Sequence, residues 1–302
     1  ADWSVALHGE FRRAEEQRQF VLEVLEMDDA VPSRAWQFAA EDRDDEEIAT
    51  RMRARLAEVS GASGPRSGSV YDHLGYWTAA LEAAGVLVLA TARGRVAVDE
   101  MRGLSIYFDD VPVVMVNGAD APRGRLFSLL HEYAHLVLRT SGLCDLTTDA
   151  SASTSSRRIE SRCNRIAAAI LMPADEVRAH ALVWANRDNE SFWQFTNLQE
   201  AAVPFGVSAE ALLRRLASLG LVSEGYYRQM REEFLVQYAD SDLRTGSGGD
   251  WYRNTVRDLG KGYVRLVADA HRRGVVDSYT ASVYLNAKVS QIGRLAAAAG
   301  AV

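Results

Sequence analysis

The residues whose spacing could do chemistry lie in "LFSLLHEYAHLVLRT", residues 126–140, where His131 and His135 stand four apart and Glu132 follows the first. Residues i and i+4 share one face of a helix, so both imidazoles point the same way. Two neutral imidazoles on one face offer two ligands to a tetrahedral zinc ion, Zn2+. The glutamate beside the first is placed to take a proton from a water that such an ion activates. The bland alternative is a pair of core histidines satisfied by hydrogen bonds, with Glu132 at a helix edge. Only 6 histidines occur in 302 residues, so a chance H-E-x-x-H falls in on the order of one per cent of such chains. Burying His, Glu and His in so apolar a helix is also costly without a compensating partner. The spacing favours a metal and hydrolytic chemistry.

Such a site needs a third protein ligand. The segment "IESRCNRIAAAILMP", residues 159–173, reads as a helix ended by Pro173, and Glu160 lies 25 residues after His135. A carboxylate there completes a His/His/Glu set and leaves a fourth position for water, the arrangement of a catalytic zinc. Asn164, one turn on, is placed to steady a ligand histidine through its ring N–H. Spacing alone leaves alternatives open. Glu160 also reads as a helix-start acid among arginines, and Cys144 and Cys163 are rival sulfur ligands, of the kind that suits a closed structural site.

The elements that must position these residues give an α+β chain. Leu126, Phe127, Leu129, Leu130, Ala134, Leu136, Val137 and Leu138 leave the His-Glu-His helix almost no polar face, so it belongs in a core. Asp120 and Pro122 suit its start, and "TSG" at 140–142 its stop. Upstream, "VLVLATA" reads as a buried strand. "LSIYF" and "VPVVMVN" read as a hairpin turning at Asp109 and Asp110, its second strand leading into the helix. Were the substrate a peptide, the position of this strand beside the helix would lay it extended along Val113, Val114, Met115, Val116 and Asn117, held by backbone hydrogen bonds. His180, Tyr107, His73 or an arginine could serve as an oxyanion donor, and the sequence does not choose. His8, His73, His180 and His271 read otherwise as surface or satisfied core histidines.

Residues 1–65 read as a helical N-terminal region, whose second helix opens on the acids "DDEE", before a Gly/Ser/Pro break at 60–69. Residues 66–182 carry the metal motif, and 183–302 form a helical C-terminal region. "TTDASASTSSRR" (147–158) reads as a surface loop and "RTGSGGD" (244–250) as a break before helices at about 251–273 and 276–298. Within 197–222, "FGVSAEALLRRLASLG" has the shape of a helix-turn-helix, with Gly206 in the turn, Ser208 as N-cap, and Arg214 and Arg215 as candidates to reach phosphate. Pro204 and the acidic neighbours argue instead for a hairpin that packs on the core or recognises a substrate. Direct DNA binding is therefore not favoured.

Composition agrees. Net charge is -7, with 48% hydrophobic and 25% charged residues, which disfavours non-specific binding to nucleic acid or an anionic membrane. No apolar run approaches a membrane span, and no signal-peptide pattern opens the sequence. Cys144 and Cys163 are too few for a disulfide framework, which fits a cytoplasmic location.

"RLFSLLHEYAHLVLR" followed by "IESRCNRIAAAILMP" resembles the ImmA/IrrE family of zinc-dependent metallopeptidases, in which an H-E-x-x-H helix precedes one of the form E-x-x-A-N-x-F-A-A-x-L-L-M-P. The resemblance implies His131, His135 and Glu160 as zinc ligands, Glu132 as the catalytic glutamate, and Asn164 at the small polar position. Cys163 stands where the family has alanine and Ile166 where it has an aromatic. "RGLSIYFDDVPVVMVNGAD" is similar to the strand pair before the active helix. The resemblance implies a small zincin-like core, with a short mixed sheet and active-site helices, flanked by helical regions. It implies an endopeptidase whose protein substrate is a repressor of a mobile element or stress regulon. The alternative is a zinc-containing regulator, an anti-repressor or transcription factor, that acts by contact. A housekeeping peptidase would cleave generic unfolded protein.

Overall fold

The computed structural model describes residues 3–40, 43–65, 68–140, 142–144, 154–241 and 250–301. Its elements run α1 (Val5–Met27), α2 (Asp45–Ser60), α3 (Val70–Ala83), β1 (Leu87–Ala90), β2 (Gly103–Ile106), β3 (Val113–Val116), α4 (Pro122–Val137), β4 (Gly142–Cys144) and α5 (Thr154–Leu171). Helices α6 (Ala174–Ala179), α7 (Ala181–Ala185), α8 (Phe195–Ala202), α9 (Ala209–Ser218) and α10 (Glu224–Ser241) follow. The chain closes with α11 (Trp251–Leu259), α12 (Lys261–Arg272), α13 (Ser278–Tyr284) and α14 (Ile292–Ala299).

The four strands form one mixed sheet in the order β1-β3-β2-β4. The expected hairpin is present: β2 runs antiparallel to β3, with Gly103 opposite Val116. β1 runs parallel to β3, with Leu87 opposite Val113, and β4 pairs antiparallel with β2, Gly103 opposite Cys144. Every residue of β1 and β3 is buried, as continuous apolar runs require when both faces of a sheet are covered. Val88, Ala90, Val114 and Val116 face a core built with α2, α3, α4 and α5. Leu87, Leu89, Leu104, Val113 and Met115 face a second core that takes in α1 and α11 to α14. The architecture is the expected α+β one, a small mixed sheet among many helices.

Two expectations change, and a third falls mostly outside the described residues. Of the segment read as a surface loop, 147–153 lie outside the described residues, while 154–158 already belong to α5. Of the break at 244–250, only Asp250 is described; it caps α11 by accepting from Tyr252 and Arg253 N–H. Each of the two long C-terminal helices is in fact a pair. At Gly260 the chain turns with φ 90°, and a Cβ there would stand 2.5 Å from the Val88 carbonyl oxygen of β1. Only glycine lets the backbone approach that closely, and the approach ends α11. The second pair parts at Asn286, φ 45°, ahead of a 3-10 turn over Val289–Gln291.

The acids at the start of α2 do more than suit a helix N-terminus. Asp44 caps it, and Asp45 accepts from Arg162 (2.8 Å) and Arg165 (2.7 Å) of α5. Glu46 binds Arg215 of α9 through both oxygens (2.5 and 2.8 Å). Arg53 reaches from α2 to the Ile170 carbonyl at the other end of α5 (2.6 Å). α5 is thus fastened to α2 at its middle and at its C-terminal end. Removing one partner of a charge-assisted pair costs about 1–3 kcal/mol, whereas exposed ion pairs are worth under about 1 kcal/mol. Asp45→Ala should therefore lower the urea midpoint clearly, and Glu47→Ala, whose ion pairs are half exposed, should hardly move it.

Candidate metal centre

α4 begins at Pro122, a residue suited to the first helical position because it lacks the N–H that would be unpaired there. From Leu126 to Val137 nearly every side chain is buried, so the helix runs through the core and not along its surface. His131 and His135 are 3% and 2% exposed. They share one face, as their spacing dictates.

On that face the two Nε2 atoms stand 3.1 Å apart. Glu160 of α5 arrives from the facing helix, with Oε2 3.2 Å from His131 Nε2 and Oε1 3.3 Å from His135 Nε2. Donors at about 2.0–2.1 Å from a tetrahedral ion lie about 3.3 Å from one another, so these separations fit one ion between two nitrogens and a carboxylate. All three ligand atoms lie within 4.8 Å of each other. Burial pushes the Glu160 carboxyl up, but hydrogen bonds and charge from His131 and His135 outweigh it and hold its pKa well below the usual carboxylate range. The carboxylate is the form a cation would need.

Cys163 does not belong to the group of possible ligands. It is buried in the core beside α4, and burial, with Glu160 and Glu132 nearby, pushes its thiol far up and away from the thiolate. Among the described residues the metal-capable group contains no sulfur; the side chain of Cys144 lies outside what is described.

The support for His135 comes from Thr140, which the sequence had suggested only as part of a helix stop. α4 ends with Arg139 at φ 53°, Arg139 N–H donating to Leu136 O at 3.0 Å and Thr140 N–H to His135 O at 2.9 Å. This is the paired closure that a left-handed residue produces after a helix. The Thr140 hydroxyl donates to the same carbonyl (3.2 Å) and so accepts from His135 Nδ1–H at 2.9 Å. That bond leaves Nε2 with its lone pair turned toward Glu160 and His131. Asn164, expected in this role, is half buried and forms no hydrogen bond with either imidazole.

Glu132 is wholly buried and lies against Gly103, the first residue of β2. A Cβ on Gly103 would collide with Glu132 Oε1 and stand 2.8 Å from its Cγ. No local pattern marks this glycine, because the contact joins a strand to a helix across the sheet. Of the candidates for an oxyanion donor, three have contacts of their own. His73 packs beneath Gly206, His180 beside Phe205, and the Tyr107 hydroxyl donates to Asp109.

The expected substrate strand does not hold. β3 lies between β1 and β2 with both edges paired, so Val113, Val114, Met115 and Val116 offer no free backbone. Asn117 is wholly buried: its amide donates to the carbonyls of Val96, Ala97 and Met101, and its oxygen accepts from Ala119 N–H. It clamps the loop between β1 and β2. The edge beside Glu132 is that of β2, and β4 occupies it.

Thr140→Val should weaken metal binding about tenfold or more, the usual loss when a ligand histidine loses its partner. Competition against a chromogenic chelator measures it, and an unchanged affinity would show that the hydroxyl does not orient His135.

Residues 81–217 match the family model described as the IrrE N-terminal-like domain, a peptidase family. The matched stretch holds all four strands, α4 and α5, and with them His131, Glu132, His135 and Glu160. This agrees with the resemblance read from the motifs. Among solved structures, a Mycobacterium tuberculosis transcriptional regulator is similar at 21% identity and a TM-score of 0.37 over 58% of this chain. The match covers 46% of that regulator, so the chain spans about half its length. Curated proteins include no match.

Proposed function

We propose that the IrrE N-terminal-like domain to which residues 81–217 belong is a zinc endopeptidase that cleaves a specific protein. The observation that carries this reading is the convergence of His131 Nε2, His135 Nε2 and Glu160 on one point, with a buried glutamate at the next position of the same helix. Bound zinc would supply Lewis-acid activation of a water and of a peptide carbonyl at the position the three ligands leave open.

The remaining work falls to the chain. Glu132, backed by Gly103, would accept a proton at its carboxylate and return it to the leaving amine. Thr140 holds the His135 ring in the tautomer a cation requires. The contacts between α2 and α5 hold Glu160 at the height of both imidazoles.

A DNA-bound repressor as the target fits the family resemblance, and one feature of the fold supports an indirect link to DNA. Arg215 is 3% exposed and bonded to Glu46 and to the Met172 carbonyl. Arg214 donates to the Tyr227 hydroxyl. The hairpin of α8 and α9 thus packs on the core and presents no free arginine pair to phosphate, so an effect on genes would run through a protein. Among the described residues no helix is long and apolar enough to cross a membrane.

The second reading, regulation by contact without proteolysis, has its own observation: Glu132 is fully buried and β4 covers the β2 edge beside it. Mapping new protein N-termini in host cells that produce the wild type or Glu132→Gln separates the two. A few termini confined to the wild type identify a specific protease and its substrate, and many indicate a housekeeping peptidase. None, with transcription still altered by both proteins, assigns the domain to binding. Gly103→Ala should cut cleavage at least tenfold while metal content stays unchanged, because the added methyl displaces the base and not the ligands; equal cleavage by the variant would remove Glu132 from the mechanism.

A further inference from the structure

The turn between α8 and α9 rests on two histidines that come from elsewhere in the fold. Gly206, φ 68°, lies over the ring of His73 on α3: a Cβ there would stand 2.8 Å from His73 Cγ and 3.1 Å from its Cδ2. Phe205, one residue earlier, packs on the ring of His180, with centroids 6.0 Å apart. His180 joins α6 to α7. His73 is 2% exposed and His180 is half-buried. Each ring has one nitrogen, Nε2 of His73 and Nδ1 of His180, that is buried and without a hydrogen-bond partner.

Such nitrogens are tolerable only while the rings are neutral. Protonation makes both nitrogens of an imidazole donors and adds a charge, and a buried charge without a partner is costly. The surroundings do little to answer it. Residues 203–208, VPFGVS, carry no charge. Among the described residues one charged group acts on each ring, Asp72 on His73 and Glu200 on His180. Asp72 is committed to its own helix start, where it accepts from the Ser69 N–H (2.7 Å) and hydroxyl (2.8 Å). Glu200 is exposed. Burial outweighs both carboxylates and holds each histidine below its ordinary pKa.

We propose that this turn is an acid-sensitive joint: protonation of His73 and His180 unseats residues 203–208 and loosens the hairpin of α8 and α9 from the core. The hairpin has something to hold. Arg215 of α9 donates to the Met172 carbonyl just after α5 (2.9 Å) and to Glu46 of α2 (2.8 Å). Loosening it slackens the two helices whose contacts set the height of Glu160. Opening returns each ring to water, where it takes up a proton more readily. The seated form is therefore favoured above the free histidine pKa of about 6.5 and loses ground as the pH falls below it. Neither histidine belongs to the metal centre, so the joint stands whether or not the domain is a peptidase.

Hydrogen exchange of the full chain, corrected for the intrinsic pH dependence of amide exchange, tests this between about pH 7.5 and about pH 5.5. Protection over Phe195–Ser218 should fall about tenfold for each histidine that gains a proton on opening, about a hundredfold in all, while α12 keeps its protection. His73→Phe or His180→Phe alone should retain about one tenfold step, and the double variant none. Should the double variant fail to fold, carbon-13 labelling of the histidines reads the same point in the wild type, where both rings should titrate below about 6.5. Unchanged protection in the wild type, or an equal fall in α12, would overturn the proposal. So would a fall that survives in the folded double variant, or either ring titrating at or above the free value.

Discussion

Two of the three ligand atoms come from α4 and the third from α5, so the site exists only while α5 lies against α4 at one height. A slip of α5 by a single helical turn would carry Glu160 about 5.4 Å along the axis, beyond reach of either imidazole. Much of the surrounding structure acts on that one requirement. Asp45 grips Arg162 and Arg165 just beyond Glu160, and Arg53 holds the far end of α5 by the Ile170 carbonyl. The sheet supports α4 from the other side, and Gly103 gives the backbone clearance that Glu132 needs. The polar groups of the site sit in an otherwise apolar helix, where their desolvation has to be offset by mutual contact.

What could be read beforehand divides along a physical line. His131, Glu132 and His135 are a local pattern on one helix, whereas Glu160 is one reading among several on spacing alone and is singled out by the family resemblance. The hairpin of β2 and β3 was equally local. Strand order was not: nothing within 111–117 tells that β1 will pair alongside in parallel, and that pairing turns the expected substrate edge into the middle of the sheet. Asn117 looked like the end of a binding strand, but its amide satisfies three carbonyls of a loop 16 to 21 residues upstream. Thr140 and Gly103 escaped notice for the same reason. The role of each is set by a neighbour brought in by the fold.

The segment around α9 shows how one local pattern can serve a different end. Gly206 turns the chain at φ 68°, and Ser208 caps the helix by accepting from Ala211 N–H, as its sequence predicts. The difference lies in where the cations go. Arg215 faces inward, and Glu46 of α2 answers its charge with both oxygens. A buried guanidinium without such a partner would be strongly destabilising, so the acids at the start of α2 and the arginine of α9 form one unit drawn from opposite ends of the folded region.

The second core of the sheet carries a consequence for where the chain can be cut. Leu87, Leu89, Val113 and Met115 are covered by α1 and by α11 to α14, all of them outside the stretch that matches the peptidase family. A fragment limited to that stretch would turn one entire face of its sheet to water, a continuous apolar surface of the kind that drives aggregation. The stretch that matches the family model is therefore smaller than the unit that covers both faces of the sheet. The first helix and the last four are to the sheet what a second wall is to a room, and a fragment that keeps both faces of the sheet covered has to include them.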